Sequence, residues 1–334
     1  MDEPTSSLTK KEIDKLFEII ALLKSRNIGI IYISHRMDEI LRVGDQITIM
    51  RDGEYIDCVD TENVDMDDVI SKMVGRKIEN LYHRNWNTPG ELVLKTEELT
   101  GLRFRNVNIS VHKGEIVALS GLVGAGRTEI AKAIFGYDPI LSGRYILNGE
   151  AICRTTPKKS VRRGIAFLPE DRKNEGLLLR KSIKENIVSA SLFRLFPNGL
   201  LNGKTENETG ERYRQELKIA TTNIEKLAGE LSGGNQQKVV IGKWLSAEGN
   251  FFIFDEPTRG IDVGAKAEIY QLLDRLASEG AAILLISSEM QEVVGLSDRV
   301  YVMYEGEIVK ELARDDISQE EIVAAAVGGA RNKC

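Results

Sequence analysis

The sequence is poor in cysteine. Cys58, Cys153 and Cys334 are its only three in 334 residues. They lie far apart and no pair has metal-ligand spacing. So sparse and odd a set suits a reducing cytosol. A run of about 18 apolar residues without charge is also missing, so no segment reads as a membrane-spanning helix. No secretory leader pattern opens the chain. Attachment to a membrane is therefore expected only through a partner. Basic residues are not in excess either, and the formal net charge is -6. A nucleic-acid-binding protein would present a basic face. This balance argues against one, while leaving room for a small local patch.

What is present is a soluble globular composition, with 42% hydrophobic and 29% charged residues. The length suits one large or two ordinary domains. The chain is organised around Phe251 to Asp262, FFIFDEPTRGID. Phe251, Phe252, Ile253 and Phe254 read as a strand covered on both faces, and Pro257 stops it. Such a strand delivers Asp255 and Glu256 to the edge of a nucleotide site. Asp255 is placed to hold Mg²⁺ through water, and Glu256 to polarise an attacking water. A plain strand end followed by a turn reads the same way, so the tripeptide needs support from elsewhere.

The first support is a repeat. Met1 to Leu8 reads MDEPTSSL, and Phe254 to Ile261 reads FDEPTRGI. At a shift of about 253 positions the copies stay in register without a gap. Ile33-Ser34 falls on Ile286-Ser287, Met37 on Met290, and Glu39 on Glu292. Asp45 falls on Asp298, Gly53-Glu54 on Gly306-Glu307, and Val74-Gly75 on Val327-Gly328. Residues 1 to about 75 read as the tail of one module, and the second module ends with the same tail. Met1 takes the place of Phe254, at the end of a buried strand. With modules of equal length, roughly 160 residues are expected to be absent from the front.

Helix and strand patterns follow the repeat. Lys11 to Lys24 is predicted as an amphipathic helix, with Ile13, Leu16, Phe17, Ile20 and Leu23 at helical spacing. Lys266 to Ser278 repeats the pattern with Ile269, Leu272, Leu273 and Leu276. An apolar run follows each helix, IGIIYIS from Gly29 and AILLIS from Ala282. Each is expected to be a buried strand, with Ile28, Ile30, Ile31, Tyr32 and Ile33 covered. The alternation implies a parallel sheet with right-handed crossovers. Trp86 is read as a packing anchor and Trp244 as core.

Two further loops carry chemistry. Gly121 to Thr128 reads GLVGAGRT. Gly121, Gly124 and Gly126 let the backbone curl around Leu122, Val123 and Ala125, so that its N–H groups face phosphates at a helix start. Thr128 offers a hydroxyl to Mg²⁺. Arg127 stands where the template has lysine, and its planar fork is not a conservative replacement. A glycine-rich strand-to-helix turn would look similar. Leu231 to Gln237 reads LSGGNQQ. There Ser232 is placed as a helix cap, followed by Gly233, Gly234, Asn235 and Gln236. Nothing bulky protrudes, so a phosphate could approach closely.

Phosphate loop, signature loop and carboxylate strand, in this order, resemble an ATP-binding cassette (ABC) protein. The strings GAGRTE, EDRK, LSGGNQQK and DEPTRGIDVGAK resemble the two-cassette ATPase subunit of bacterial monosaccharide importers, the ribose, galactose and xylose type. The resemblance covers nearly the whole chain. It implies an α/β P-loop NTPase cassette at 92–334, a parallel-sheet core with a helical subdomain at about 171–246. The C-terminal remnant of a first cassette would precede it at 1–78, with a linker at 79–91. It further implies ATP and Mg²⁺ as cofactors and a sugar-transporting ATPase activity. Membrane permease subunits are the implied partners and, indirectly, a periplasmic or surface sugar-binding protein. The implied location is the cytoplasmic face of the plasma membrane, with no nucleic acid bound.

The resemblance also assigns residues. His35 would hold the γ-phosphate and the attacking water, and its counterpart Ser288 cannot match that reach or charge. Glu170, in LPEDRK, stands where the family usually has a glutamine that links the γ-phosphate to the membrane subunit. The first copy keeps Asp2 for the metal, Glu3 as base and His35. The second copy departs at Arg127, Glu170 and Ser288, so its site is expected to be degenerate. The signature would serve a partner cassette's ATP. Phe104, near the usual place of an adenine-stacking ring, is read as core. Two other readings stand beside this one. A tandem ABC ATPase acting on ribosomes or DNA would lack these strings and usually carries basic arms. A non-catalytic nucleotide-binding regulator would be separated by an ATPase assay.

Overall fold

The computed structural model describes residues 1–328 apart from positions 3, 6, 7, 9, 35, 36, 52, 65 and 75–83. The chain divides into two units, Met1–Leu81 with Asp262–Ala267, and Tyr82–Ile261 with Glu268–Cys334.

The first unit holds α1 (Lys10–Ser25), α2 (Met37–Val43), the hairpin strands β1 (Gln46–Arg51) and β2 (Glu54–Asp60), and α3 (Met66–Val74). Helix α1 matches the predicted span and buries Phe17 and Ile20, one turn apart on one face. Ile47 and Ile49 of β1 and Val69 of α3 form a small core, with Met37, Ile40, Ile56 and Val59 packed against it.

The strand expected from Gly29 does not form. Among the described residues its only bridge is Asp2 to Ile33. Ile28, Ile31 and Ile33 are 46%, 80% and 55% exposed. An apolar run becomes a buried strand only when neighbours take up its backbone groups and cover its faces. The second copy shows the difference, because there the equivalent run has a strand on each side.

The second unit contains β3 (Leu92–Thr100), β4 (Ser110–His112), β5 (Ile116–Gly121), α4 (Arg127–Phe135), β6 (Ser142–Leu147), β7 (Glu150–Ile152), α5 (Pro157–Arg162) and β8 (Ile165–Leu168). Helices α6 (Ile183–Val188), α7 (Leu192–Leu195), α8 (Gly203–Glu216) and α9 (Gly233–Ser246) follow. The chain returns through β9 (Phe251–Asp255), α10 (Val263–Ser278, whose start to Ala267 is grouped with the first unit), β10 (Ala282–Ile286), α11 (Met290–Leu296), β11 (Arg299–Tyr304), β12 (Glu307–Ala313) and α12 (Gln319–Gly328).

Six strands form one sheet in the order β12-β11-β5-β10-β9-β8. All pair in parallel except β12, which is antiparallel to β11. Every residue of β8, β9 and β10 is buried. Their continuous apolar runs are what a sheet covered on both faces requires. A second sheet of four antiparallel strands runs β4-β3-β6-β7. Helices α6 to α9 lie between β8 and β9 in the chain.

The repeat is structural as well as sequential. At the same shift α1 matches α10, α2 matches α11, and β1-β2 match β11-β12. Even the irregularity in the hairpin recurs, at Ile49/Met50 and at Val302/Met303. The core residues Ile47, Ile49 and Val69 correspond to Val300, Val302 and Ile322, which are packed together in the second copy.

The described end of the expected linker is pinned. Arg84 is buried and donates to Asp274 at 3.0 Å, to Asp298 at 2.8 Å, and to the carbonyls of Asn85 and Gly114. Burying a guanidinium is tolerable only with such pairing. Trp86, read as a packing anchor, is 48% exposed. The guanidinium groups of Arg314 and Arg84 stand 4.0 Å and 5.6 Å from its ring centroid, a cation–π arrangement. Trp244 is buried against Phe135, as expected.

Candidate nucleotide site

Four parallel strands end at one edge of the sheet. Strand β5 runs into Gly121–Gly126, β9 into Asp255-Glu256, β10 into Ser287-Ser288, and β8 into Glu170. Because β5, β10, β9 and β8 are adjacent in this order, their loops meet at one cleft. Carboxyl ends of parallel strands are the usual place for ligands in such sheets. The cleft is about 480 Å³ in volume and is lined by Val123 to Glu129, Glu170, Glu256, Arg259 and Ser288.

The loop from Gly121 depends on left-handed backbone. Gly126 has φ +100°, and a Cβ there would stand 2.7 Å from the Arg103 carbonyl oxygen. Only glycine fits that approach. Gly126 leads directly into α4, whose first-turn N–H groups favour an anion. Leu122 and Val123 are exposed on the loop, and Ala125 is buried beneath it. Phe104 is buried and packs over Gly101.

Arg127 does not reach into the loop. Its Nη1 donates to the Ser287 carbonyl at 2.9 Å, and its Nη2 stands 3.9 Å from Glu256 Oε1. The side chain is buried, tied to the end of β10. Ser288 Oγ donates to Glu256 Oε2 at 2.8 Å. Glu256 itself has φ +48°, a left-handed conformation that is costly for a residue with a side chain and frequent where function demands it.

Asp255 is fully buried. Its Oδ1 accepts from Thr128 Oγ1 at 3.2 Å, while Oδ2 has no hydrogen-bond partner. Burial pushes the carboxyl up to about 7, against the Thr128 hydrogen bond, with the Glu256 charge adding to the rise and Arg127 and Lys132 opposing it. A buried carboxylate oxygen without a donor is costly. A divalent cation beside Thr128 would supply what it lacks, and the hard oxygen donors suit Mg²⁺.

Glu170 is held in an ion pair with Arg259. Nothing local announces this partner, which lies 89 positions away (170 to 259). Arg172 donates to the carbonyls of Arg259 and Gly260. It also packs against Gly233, where an added Cβ would stand 2.7 Å from its Nη2.

The signature residues lie outside the cleft. None of Ser232, Gly233, Gly234, Asn235 or Gln236 is among its lining. Ser232 begins α9 but its side chain does not cap it. Its Oγ accepts from Asn235 Nδ2 at 2.9 Å instead. Asn235 Oδ1 in turn accepts from the Ala220 N–H at 2.7 Å, so the asparagine occupies the hydroxyl that would otherwise cap. Asp2 is exposed and bridges to Ile33 as Asp255 pairs with Ile286. Glu3 and His35 lie outside the described residues.

Fold and cleft together define a phosphate-loop nucleotide-binding cassette. Residues 104–259 match the family model for ABC transporter proteins. A nucleotide-binding cassette of an ABC transporter in its ADP conformation superposes with a TM-score of 0.60 at 23% identity, over 71% of this chain and 99% of that one. A nucleotide-free cassette from an ABC transporter gives 0.59 at 24% identity, over 71% and 100%. Among curated proteins, the ribose import ATP-binding protein RbsA of Lactococcus lactis is 45% identical over 98% of this chain and 67% of its own length. The RbsA protein of Bacillus subtilis is also 45% identical, over the same shares. The chain belongs to the ABC transporter family, among the ATP-binding proteins of monosaccharide importers.

Proposed function

We propose that the chain binds Mg²⁺-ATP in the cleft at Gly121–Thr128 and serves as the ATP-binding subunit that energises uptake of a monosaccharide through a membrane permease. The observation that carries the nucleotide reading is the unpartnered Asp255 Oδ2 beside Thr128, under a left-handed glycine loop at the start of α4. Those residues fit a metal-bound phosphate chain. Thr128 and Asp255 would hold the Mg²⁺ ion, which supplies charge neutralisation on the phosphates. Backbone N–H groups of 121–128 would cradle the phosphates. Glu256 would accept a proton from water at Oε1 or Oε2 once released from Ser288 and Arg127. Glu170 would face the γ-phosphate end after parting from Arg259. Ser232 to Gln236 would serve a cleft on another cassette. In the first copy, Asp2, Glu3 and His35 take the corresponding roles by register.

Sugar import is supported by the relatives, which are ribose import ATP-binding proteins. An import ATP-binding protein needs a membrane path for its cargo, which supports partnership with permease subunits and, through them, with a sugar-binding protein. No helix among the described residues is long and apolar enough to cross a membrane; a peripheral position at the cytoplasmic face, held through the permease, is part of this proposal. Titration with a fluorescent ATP analogue, with and without Mg²⁺, tests the nucleotide reading. Saturable, Mg²⁺-dependent binding is expected, and no binding at millimolar concentration would overturn it.

A further inference from the structure

Behind the cleft lies a second carboxylate that the nucleotide reading does not use. Glu292 on α11 is fully buried and accepts hydrogen bonds from three hydroxyls. Thr258 and Tyr270 donate to Oε1, the latter at 2.7 Å, and Ser287 donates to Oε2 at 2.7 Å. Two of these donors sit on the strand-end segments of the site. Thr258 follows Asp255-Glu256-Pro257. Ser287 precedes Ser288 and supplies the carbonyl that receives Arg127. The carboxyl is held above the usual range by burial, which the three hydroxyls oppose.

The first copy joins the same two segments through its own glutamate, with the three hydroxyls gathered on one oxygen, Oε2. Glu39 is 1% exposed and accepts from Thr5 at 2.7 Å, Tyr32 at 2.8 Å and Ser34 at 3.3 Å. Thr5 and Ser34 are the register equivalents of Thr258 and Ser287. The tyrosine is not equivalent. Tyr32 falls at the place of Leu285, and Tyr270 at the place of Phe17. The third hydroxyl thus comes from a different element in each copy, while the strand-end pair is constant. A buried carboxylate costs free energy unless it is hydrogen-bonded, and a threonine and a serine hydroxyl at equivalent positions in both copies mark the two segments that the group ties together.

We propose that Glu292 is a positioning residue that clamps the segment after Asp255-Glu256 to the end of β10, and so fixes Ser288 against Glu256 and the Ser287 carbonyl against Arg127. Glu39 performs the same task between Thr5 and Ser34. The assignment rests on the nucleotide reading for its purpose, but its geometry can be tested without nucleotide.

The test uses the full chain. Amide hydrogen exchange is followed in peptides covering 254–260 and 286–290 for the wild type, Glu292→Gln, Thr258→Ala, Ser287→Ala and Tyr270→Phe. Glu292→Gln is expected to raise exchange at least tenfold in both segments while the sheet strands β5 and β8 keep their protection. Thr258→Ala and Ser287→Ala should loosen both segments too, since either change opens the clamp, and Thr258→Ser should restore it. Tyr270→Phe should leave both segments near wild type. In parallel, affinity for a fluorescent ATP analogue with Mg²⁺ is measured for Glu292→Gln, Ser288→Ala and the double variant. Losses that fail to add would show that Glu292 acts through Ser288. A uniform rise in exchange over the whole unit, unchanged exchange in both segments, or strictly additive losses would overturn the proposal. Should Glu292→Gln not fold, the threonine and serine variants decide it alone. Absence of analogue binding by the wild type would count against the nucleotide reading, and the exchange measurement would still decide the clamp.

Discussion

Ser288 Oγ donates to Glu256 Oε2 across the ends of two neighbouring strands, at 2.8 Å. Arg127 approaches the other carboxylate oxygen at 3.9 Å. These contacts occupy part of the carboxylate and hold it toward the protein, so a water molecule has to reach a remaining lone pair or displace one of them. Positioned acid–base groups contribute about 10²–10⁴-fold when they work. Phosphate release by the purified chain is therefore expected to be slow, and Glu256→Gln should lower it by less than about tenfold. A loss of a hundredfold or more would show Glu256 acting as a fully engaged base.

Arg127 is expected to matter twice. Arg127→Ala removes the donor to a buried carbonyl, which should lower stability by roughly 1–3 kcal/mol, and it should also weaken nucleotide binding. Arg127→Lys gives up the fork that reaches Ser287 and returns a compact charge to the loop, so it should bind Mg²⁺-nucleotide more tightly than the wild type. Thermal melts and analogue titrations of both variants check this. Equal affinity for all three proteins would mean that the side chain at 127 never meets the phosphates.

Asp255→Asn should separate stability from metal binding. The Asp255 carboxyl is raised from 3.8 to about 7, so the folded chain holds this proton more tightly than the unfolded chain does. Its contribution to stability is fully present below about pH 4 and is lost as pH rises to about 7, at roughly 1.4 kcal/mol per pH unit. The asparagine variant should therefore match the wild type near pH 4 and exceed its melting temperature increasingly up to pH 7, without Mg²⁺ or nucleotide. It should also lose Mg²⁺-dependent analogue binding. A variant less stable than the wild type at pH 8 would contradict the buried, unpartnered state of Oδ2.

Ile31 and Leu284 are register equivalents with opposite surroundings, 80% and 0% exposed. Leu284→Ala should cost about 2–5 kcal/mol, as large-to-small changes in a packed core do. Ile31→Ala should change stability by no more than about 0.5 kcal/mol. Urea unfolding of the two variants measures both. Comparable losses would place residues 28–33 in a covered strand after all.

The same pair of segments shows what could be read beforehand. FFIFD and AILLI announced buried strands, and they are buried because β5, β8, β9 and β10 pair side by side and other elements pack on the sheet they form. IGIIYIS carries the same apolar signal, but a strand is a property of its neighbours as much as of its residues. The glycines of 121–126 marked their loop because left-handed backbone leaves few alternatives. The four-stranded antiparallel sheet went unread, since strands such as β6 mix exposed and buried positions without a continuous apolar run. Pairs such as Glu170 with Arg259, or Thr258 with Glu292, join positions far apart in the chain, and nothing local in the sequence announces them. Ser232 shows the converse, since its cap signature is present but Asn235 takes the hydroxyl.

The two tryptophans sit in unlike surroundings within the second unit. Trp244 is 8% exposed and meets the ring of Phe135, at the end of α4, edge-on at 5.6 Å. Trp86 is 48% exposed, with two guanidinium groups near its ring. Emission from the first should be blue and shielded, and from the second red and open to a soluble quencher. Since α4 begins at the phosphate loop and ends against Trp244, the chain carries its own optical gauge. A spectral change confined to the shielded component on adding nucleotide would report a shift of that helix, without any label.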